Sequence, residues 1–189
     1  YPAALCTSVN EEVVHGIPGI RVLAEGDIIS VDCGVRLDGY CGDAAITVPV
    51  GKVAPEIQRL IDVTREALDV AVREIRPGRK WSDVARQMQK KVEQAGFSVV
   101  REFVGHGIGR SLHEDPKVPN FVERGARTFD LVPGLTLAVE PMVNMGGADV
   151  CFGDSTGWTV VTRDRRWAAH FEHTIAVTDS GCDVLTVAW

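Results

Sequence analysis

The chain has 189 residues, of which 45% are hydrophobic, so it can bury a real core and we expect it to form a single domain. Its net charge of −6 and the lack of a long basic run argue against a specific nucleic-acid partner. Five widely spaced cysteines without a Cys-x-x-Cys pair indicate a reducing cytoplasm, and no stretch has the length of a membrane span. The sequence starts at Tyr1 rather than Met, so we expect a domain that lacks its N-terminal segment.

Two paired strands are predicted within residues 26–50, and they are joined by a turn at Leu37-Asp38-Gly39. The Asp-Gly dipeptide is a strong hairpin signal because both positions tolerate the positive φ that tight hairpin turns require. The hairpin brings Asp32 and Asp43 towards each other across the two strands.

Two helices are predicted after the hairpin. Apolar residues within 57–75 recur at i, i+3, i+4 and i+7, and Pro77-Gly78 ends the segment. The second helix is predicted to begin near Trp81 with Ser82 as its N-cap, and Gly96 stops it.

The remaining sequence returns to short strand patterns. A connection rich in Pro and Gly spans residues 113–134. The predicted strands are 98–104, 135–143, 158–162, 173–178 and 183–187. This order of elements predicts an α+β fold, in which helices cover one side of a curved, mostly antiparallel sheet.

Four acidic residues stand in or beside apolar strand segments. Asp32 interrupts Ile-Ile-Ser-Val-Asp-Cys-Gly-Val, Glu140 interrupts Leu-Thr-Leu-Ala-Val-Glu-Pro-Met-Val, and Glu172 lies just before Thr-Ile-Ala-Val; Asp43 follows in the second strand of the hairpin. An unpaired carboxylate in such a run costs several kcal/mol or becomes neutral. Any one of them is equally well explained as a solvated turn residue or an ion-pair member. All four together favour a metal, since Arg and Lys are scarce in the same runs.

Charge and ligand chemistry sharpen this prediction. The candidate ligands are Asp32, Asp43, His106, Glu140 and Glu172. The four negative charges of the carboxylates balance the positive charges of two divalent ions. Oxygen ligands with one imidazole suit Co, Mn, Fe or Zn. Paired metals about 3.5–4 Å apart are a recurrent device for activating water in hydrolases. His15 and His113 can be ordinary surface or core histidines, but beside such a site they can hold a substrate carbonyl or a developing oxyanion.

Six sequence blocks occur in a characteristic order along the chain. They are Val-Val-His15-Gly-Ile-Pro, Asp32 and Asp43 eleven positions apart, Gly-His106-Gly-Ile-Gly-Arg, Leu-His113-Glu-Asp-Pro, Glu140-Pro-Met-Val-Asn and Phe-Glu172-His-Thr. Together these blocks resemble a type I methionine aminopeptidase. Only 33 residues separate His106 from Glu140, whereas the type II branch carries a large insertion there.

The resemblance implies the pita-bread (creatinase/aminopeptidase) fold and a dimetal hydrolase. Its activity is removal of the initiator methionine from nascent proteins and peptides by metal-activated water attack on the first peptide bond. By matching position, Asp32 and Asp43 bind one ion, and Asp43 and Glu172 bridge to the second. His106 and Glu140 complete the second site.

The resemblance also implies roles around the metals. Glu140 is the general base, His113 contacts the scissile carbonyl, and His15 contacts the substrate near its scissile amide. The residues that match the lining of the methionine pocket are Tyr1, Cys6, Leu112 and Trp158. Leu112 stands where some members of the family have an aromatic residue.

Partners and alternatives follow from the same comparison. We expect a cytoplasmic monomer that acts on N-terminal Met peptides and nascent chains, with ribosome association expected of the activity. The family has a segment before the position of Tyr1 that adds to the substrate pocket, so we expect 1–189 to be an incomplete catalytic domain. Two alternatives stay open: a catalytically silent pita-bread module that binds peptides or proteins, and a proline-directed peptidase of the same fold.

Overall fold

The computed structural model describes residues 1–123, 125 and 128–187. Within these residues the helices are α1 (Pro55–Glu74) and α2 (Trp81–Gln94), and neither is long and apolar enough to cross a membrane. The strands of the described residues are β1 (Cys6–Val9), β2 (Glu12–Val14), β3 (Ile28–Leu37), β4 (Tyr40–Pro49), β5 (Ser98–Val99), β6 (Gly105–Gly107), β7 (Glu114–Val118), β8 (Thr136–Val139), β9 (Met142–Asn144), β10 (Val150–Phe152), β11 (Val160–Thr162), β12 (Ala168–His170), β13 (Glu172–Val177) and β14 (Cys182–Val184).

The predicted hairpin is confirmed as β3 and β4, the longest strand pair of the described residues. Its turn consists of Asp38 and Gly39, whose φ angles are 49° and 84°. Both values are positive, as the two central residues of a type I′ hairpin turn require. This turn fixes a register in which Asp32 pairs with Ala45 and Gly34 pairs with Asp43.

The main sheet is antiparallel and curved. Its strand order is β1-β3-β4-β13-β8-β6-β7, with β14 paired to β13. Two three-stranded sheets accompany it, with the orders β10-β11-β2 and β12-β9-β5. Every strand pairing in the described part of the chain is antiparallel, which confirms and extends the prediction.

Both helices pack against one side of the sheets. Leu60 and Leu68 of α1 and Met88 of α2 are buried in a core that also contains Leu137 of β8 and Ile175 of β13. Side chains alternate between the two faces of a strand. Glu172 and Thr174 of β13 therefore point to the face away from the helices, so the helix-covered side and the acidic side of the sheet are opposite.

The second helix begins differently from the prediction, because Ser82 is not its N-cap. Lys80 occupies that position, and its own side chain makes no capping hydrogen bond. The backbone N–H of Trp81 donates instead to the carbonyl of Phe129, and the N–H of Ser82 donates to Oγ1 of Thr128. A neighbouring segment thus satisfies the free amides that a capping serine would otherwise bind.

Several strand predictions were wrong in extent. The predicted strand 135–143 is divided into β8 and β9 at Glu140-Pro141, since proline has no N–H to donate to a ladder. The predicted strand 98–104 is limited to β5, and 158–162 and 183–187 are shortened to β11 and β14. The predicted connection 113–134 contains β7, while residues 124, 126 and 127 of it lie outside the described residues.

Candidate metal centre

Three of the four acids stand side by side across the main sheet. Asp32 of β3 and Glu172 of β13 both pair in register with Ala45 of β4, which lies between them. Asp43 is two positions before Ala45, so its side chain points to the same face. Ala45 presents only a methyl group between the two flanking acids.

The backbone of Asp43 is held by a reciprocal pair of hydrogen bonds. Its N–H donates to Oγ1 of Thr174 at 2.8 Å, and the Thr174 hydroxyl donates to the carbonyl of Asp43 at 2.8 Å. The carboxylate itself is not satisfied in this way, because Oδ1 of Asp43 is buried without a hydrogen-bond partner among the described residues. The fold therefore fixes the position of this acid while leaving its charged group free for a ligand.

His106 and Glu140 reach the same face of the sheet from strands that lie beyond β13 in the strand order. His106 of β6 pairs with Ala138 of β8, and Glu140 directly follows that strand. Nδ1 of His106 donates to the carbonyl of Gly107 at 2.9 Å, which leaves Nε2 unprotonated in the neutral ring. Nε2 lies 3.6 Å from Oε1 of Glu140 and 4.0 Å from Oδ2 of Asp43. This is the arrangement in which a histidine serves as a metal ligand.

The crowding and burial of the cluster favour a bound cation. Ligand atoms of Asp43, His106 and Glu172 all lie within 4.8 Å of one another. Glu172 is 2% exposed, and its Oε1 has no hydrogen-bond partner among the described residues. Burial raises the pKa of both Glu172 and Glu140 above the usual range, because the ionised forms lose hydration. A set of crowded carboxylates with orphaned oxygens and one imidazole fits a divalent ion.

The sequence-predicted residues converge on one cavity of about 510 Å³. The predicted members of its lining are Asp32, Asp43, His106, Glu140, Glu172, His15 and His113. Burial also raises the pKa of Asp32 and of Asp43, so the whole acidic group shares one poorly hydrated environment. We call this space the acidic cavity.

His15 and His113 flank the acidic cavity in different ways. His15 has a φ of 59°, a left-handed conformation that is uncommon for a residue with a side chain and concentrates at functional sites. Its ring packs edge-on against Phe103 at 5.8 Å and Trp158 at 6.4 Å, and burial lowers its pKa. The ring of His113 lies 4.3 Å from that of His106, which puts it beside the acids.

A second cavity of about 380 Å³ adjoins the acids, and we call it the apolar cavity. All four residues predicted for the methionine pocket line it: Tyr1, Cys6, Leu112 and Trp158. The Tyr1 hydroxyl donates to the carbonyl of Gly16 at 2.6 Å, and its ring meets Trp158 edge-on at 5.5 Å. Burial raises the pKa of the Cys6 thiol to about 11, so this wall is uncharged. The two cavities share four lining residues: His15, Asp32, Asp43 and His113.

One buried histidine of this region was not among the predicted site residues. His170 ends β12, and its Nε2 lies 3.6 Å from Oε2 of Glu140. Burial lowers its pKa, although the nearby Asp32 and Asp43 act in the opposite direction. The signal that could have identified it is the one used for the acids: it interrupts an apolar run, Ala-Ala-His-Phe, just before Glu172.

Comparison with known proteins agrees with the geometry. The model of metallopeptidase family M24 matches residues 1–179. Methionine aminopeptidase 1 of Bacillus subtilis is 50% identical over 98% of this chain and 74% of its own length. The crystal structure of methionine aminopeptidase from Rickettsia prowazekii has a TM-score of 0.94 at 42% identity, covering 98% of this chain and 75% of that one.

A more distant likeness shows the fold alone. The prolidase from Pyrococcus furiosus has a TM-score of 0.76 at 19% identity, covering 99% of this chain and 50% of that one. The shared architecture is the pita-bread fold, which confirms the predicted fold class. The family match and the identity with full-length relatives lead to one conclusion: the chain belongs to metallopeptidase family M24, and its close relatives there are methionine aminopeptidases.

Proposed function

We propose that this chain is a metal-dependent aminopeptidase that removes the initiator methionine from nascent proteins and peptides. The observation that carries the proposal is the junction of the two cavities, which share Asp32, Asp43, His15 and His113. A cavity with aromatic and sulfur-bearing walls suits a thioether side chain. A methionine side chain bound there presents its backbone to the acidic cavity.

We propose that the acidic cavity holds two divalent ions, drawn from Co, Mn, Fe and Zn. Asp32 and Asp43 would bind one ion, Asp43 and Glu172 would bridge to the second, and His106 and Glu140 would complete it. Membership of a metallopeptidase family implies divalent-metal binding, and the unpartnered oxygens of Asp43 and Glu172 support it here. When bound, the ions polarise the scissile carbonyl and lower the pKa of the attacking water.

The protein side chains supply proton transfer and orientation. Glu140 accepts a proton from the attacking water at a carboxylate oxygen and passes it to the leaving amine nitrogen as the C–N bond breaks. His113 hydrogen-bonds the scissile carbonyl oxygen, and His15 contacts the scissile amide. These roles are supported by the convergence of all three residues on one cavity.

The test is release of free Met from a Met-Ala-Ser tripeptide. The protein is first chelated, and Co, Mn, Fe or Zn is then added back separately. We expect metal-dependent release of Met, with Leu-Ala-Ser cleaved much more slowly. Peptide binding without release under every metal would favour the silent binding module, and preferential cleavage of Ala-Pro would favour the proline-directed peptidase.

We also propose that the protein acts as a cytoplasmic monomer on nascent chains close to the ribosome. All five cysteines are unpaired, which supports a reducing compartment. Sedimentation at micromolar concentration tests the monomer, and co-sedimentation with ribosomes tests the association. A dimer or an unbound supernatant fraction would contradict the respective proposal.

A further inference from the structure

His170 is a buried polar group for which the reaction proposed above has no use. Its side chain is 2% exposed, and Nε2 has no hydrogen-bond partner among the described residues. Buried polar atoms are almost always paired in folded proteins, so an unpaired one calls for an explanation. The nearest acceptor recorded for this nitrogen is Oε2 of Glu140 at 3.6 Å, about half an ångström beyond an ordinary N–H···O hydrogen bond.

The position of His170 is fixed from its backbone. Its N–H donates to Oγ1 of Thr47 at 2.9 Å, and its carbonyl accepts from the same hydroxyl at 2.7 Å. Oγ1 of Thr47 also lies 2.8 Å from Oγ of Ser30. One residue further, the N–H of Phe171 donates to the carbonyl of Pro141. The segment that carries His170 is therefore tied directly to the segment that carries Glu140.

The carboxylate of Glu140 lies between two histidines. Oε1 is 3.6 Å from Nε2 of His106, and Oε2 is 3.6 Å from Nε2 of His170. The last torsion of a glutamate is broad, so a carboxylate needs hydrogen bonds to hold its plane. The only hydrogen bond to Glu140 from the described residues is that of Asn120 to its backbone carbonyl, which does not restrain the carboxylate.

We propose that His170 is a positioning residue: a small rotation of the Glu140 carboxylate closes the 3.6 Å separation, and Nε2 of His170 then donates a hydrogen bond to Oε2. This bond holds Oε1 towards the cluster of Asp43, His106 and Glu172. A histidine ring carries at least one N–H and a carboxylate accepts at both oxygens, so the pair is chemically complementary. The inference rests on the proposed function, in which Glu140 is both a metal ligand and the general base.

The experiment compares three substitutions of one side chain. H170L removes the donor and keeps an apolar group in the space, H170Q places an amide N–H near the position of Nε2, and H170N is too short to reach it. H173Q is the matched control, because His173 points to the helix side and bonds Thr186. We expect H170L and H170N to lower kcat for Met-Ala-Ser about tenfold or more with KM changed less than about twofold. We expect H170Q to recover to within about threefold of wild type.

A second readout does not depend on turnover. Mn²⁺ is titrated into the chelated proteins without peptide, and its Kd is measured by calorimetry. We expect H170L to weaken Mn²⁺ binding about tenfold, because a loosened Glu140 is a poorer ligand, and we expect H170Q to restore it. The control H173Q should bind Mn²⁺ as wild type does.

The outcomes separate the possible roles. Wild-type kcat and Mn²⁺ affinity in H170L would overturn the inference, and so would equal losses in H170L and H170Q, which would mean a packing role. If H170L does not fold, the difference in kcat and Mn²⁺ affinity between H170Q and H170N decides whether the hydrogen bond to Glu140 matters. If wild type releases no Met with any metal, the proposed function fails, while the Mn²⁺ titrations still test whether His170 positions Glu140.

Discussion

The two adjoining cavities are built in different ways. The acidic cavity takes its proposed metal ligands from strands of the main sheet or the residue next to one, and Asp43 and Glu172 are 7% and 2% exposed. The apolar cavity takes much of its wall from outside the strands, and Tyr1 and Trp158 are 41% and 39% exposed. The difference matches the two tasks, because chemistry needs atoms held within tenths of an ångström while a binding wall needs only a suitable shape. Substitutions should therefore have large effects in the first cavity and small effects in the second.

The largest effect is expected for Glu140→Ala. Because Glu140 is the proposed proton carrier and a proposed metal ligand, its loss should lower kcat for Met-Ala-Ser by about 10³-fold or more. The fold should remain, because Glu140 makes no side-chain hydrogen bond that holds the sheet in the described structure. The measurement is steady-state turnover with circular dichroism on the same sample. Wild-type turnover would refute the metal-centred mechanism.

A smaller effect is expected for His113→Ala. Because His113 is proposed to hydrogen-bond the scissile carbonyl oxygen, its removal should lower kcat about 10²-fold without changing the metal content. Turnover and elemental analysis of the same preparation provide the two measurements. His173→Ala serves as a control, since that side chain lies outside the acidic cavity. Loss of metal in His113→Ala would mean that its role was assigned incorrectly.

The acidic cavity should also control stability. Burial raises the pKa of Glu172 and Asp43 in the fold, so above about pH 4 the folded chain binds more protons than the unfolded chain. The chelated protein should therefore lose stability as the pH rises, with a higher Tm at pH 5 than at pH 7.5.

Two further measurements isolate the cause of this pH dependence. Glu172→Gln removes one of the groups and should reduce the difference in Tm between the two pH values. A divalent ion at one hundred times its Kd should add about 2.7 kcal/mol at neutral pH by mass action. A Tm of the chelated protein that rises from pH 5 to pH 7.5 would contradict the predicted direction.

The smallest effect is expected in the apolar cavity. Leu112→Phe adds bulk to a wall that already lies close to Gly34, where an added Cβ would be 3.3 Å from the Leu112 side chain. We expect kcat/KM for Met-Ala-Ser to change less than about tenfold and mainly through KM, because such a wall discriminates by only about 1–3 kcal/mol. The selectivity of the wall is measured as the ratio of kcat/KM for Met-Ala-Ser to kcat/KM for Leu-Ala-Ser. If Leu112→Phe lowered turnover as much as His113→Ala does, substitutions in the two cavities would not differ in the size of their effects.

Local sequence patterns predicted the structure best. The Asp-Gly turn predicted the hairpin, and acids in apolar runs predicted a cluster that the fold brings together around Asp43 and Glu172. Strand extent was harder to predict. Pro141 continues the apolar run 135–143 while it ends the ladder, and β7 lies in a segment whose Pro and Gly content indicated a connection.

Other features depended on partners that are distant in sequence. The start of α2 is set by Phe129 and Thr128, which are distant in sequence. The prediction of Ser82 as N-cap, based on local sequence, was therefore wrong. His170 was missed because one histidine in an apolar run is most simply explained as a core residue, and only the fold shows its distance to Glu140. The walls of the apolar cavity came from the family resemblance, since Tyr1 and Trp158 carry no local signal of a shared site.

The two-residue turn of Asp38 and Gly39 makes the site unusually intolerant of length variation in an exposed loop. Surface turns generally accept insertions. Here the turn fixes the register of β4 against β3, and Asp43 lies only four residues beyond the turn. An insertion of one residue that is absorbed as a shift in register would move every β4 side chain to the opposite face, including Asp43. The position of Asp43 in the acidic cavity is thus set by a turn that does not line that cavity.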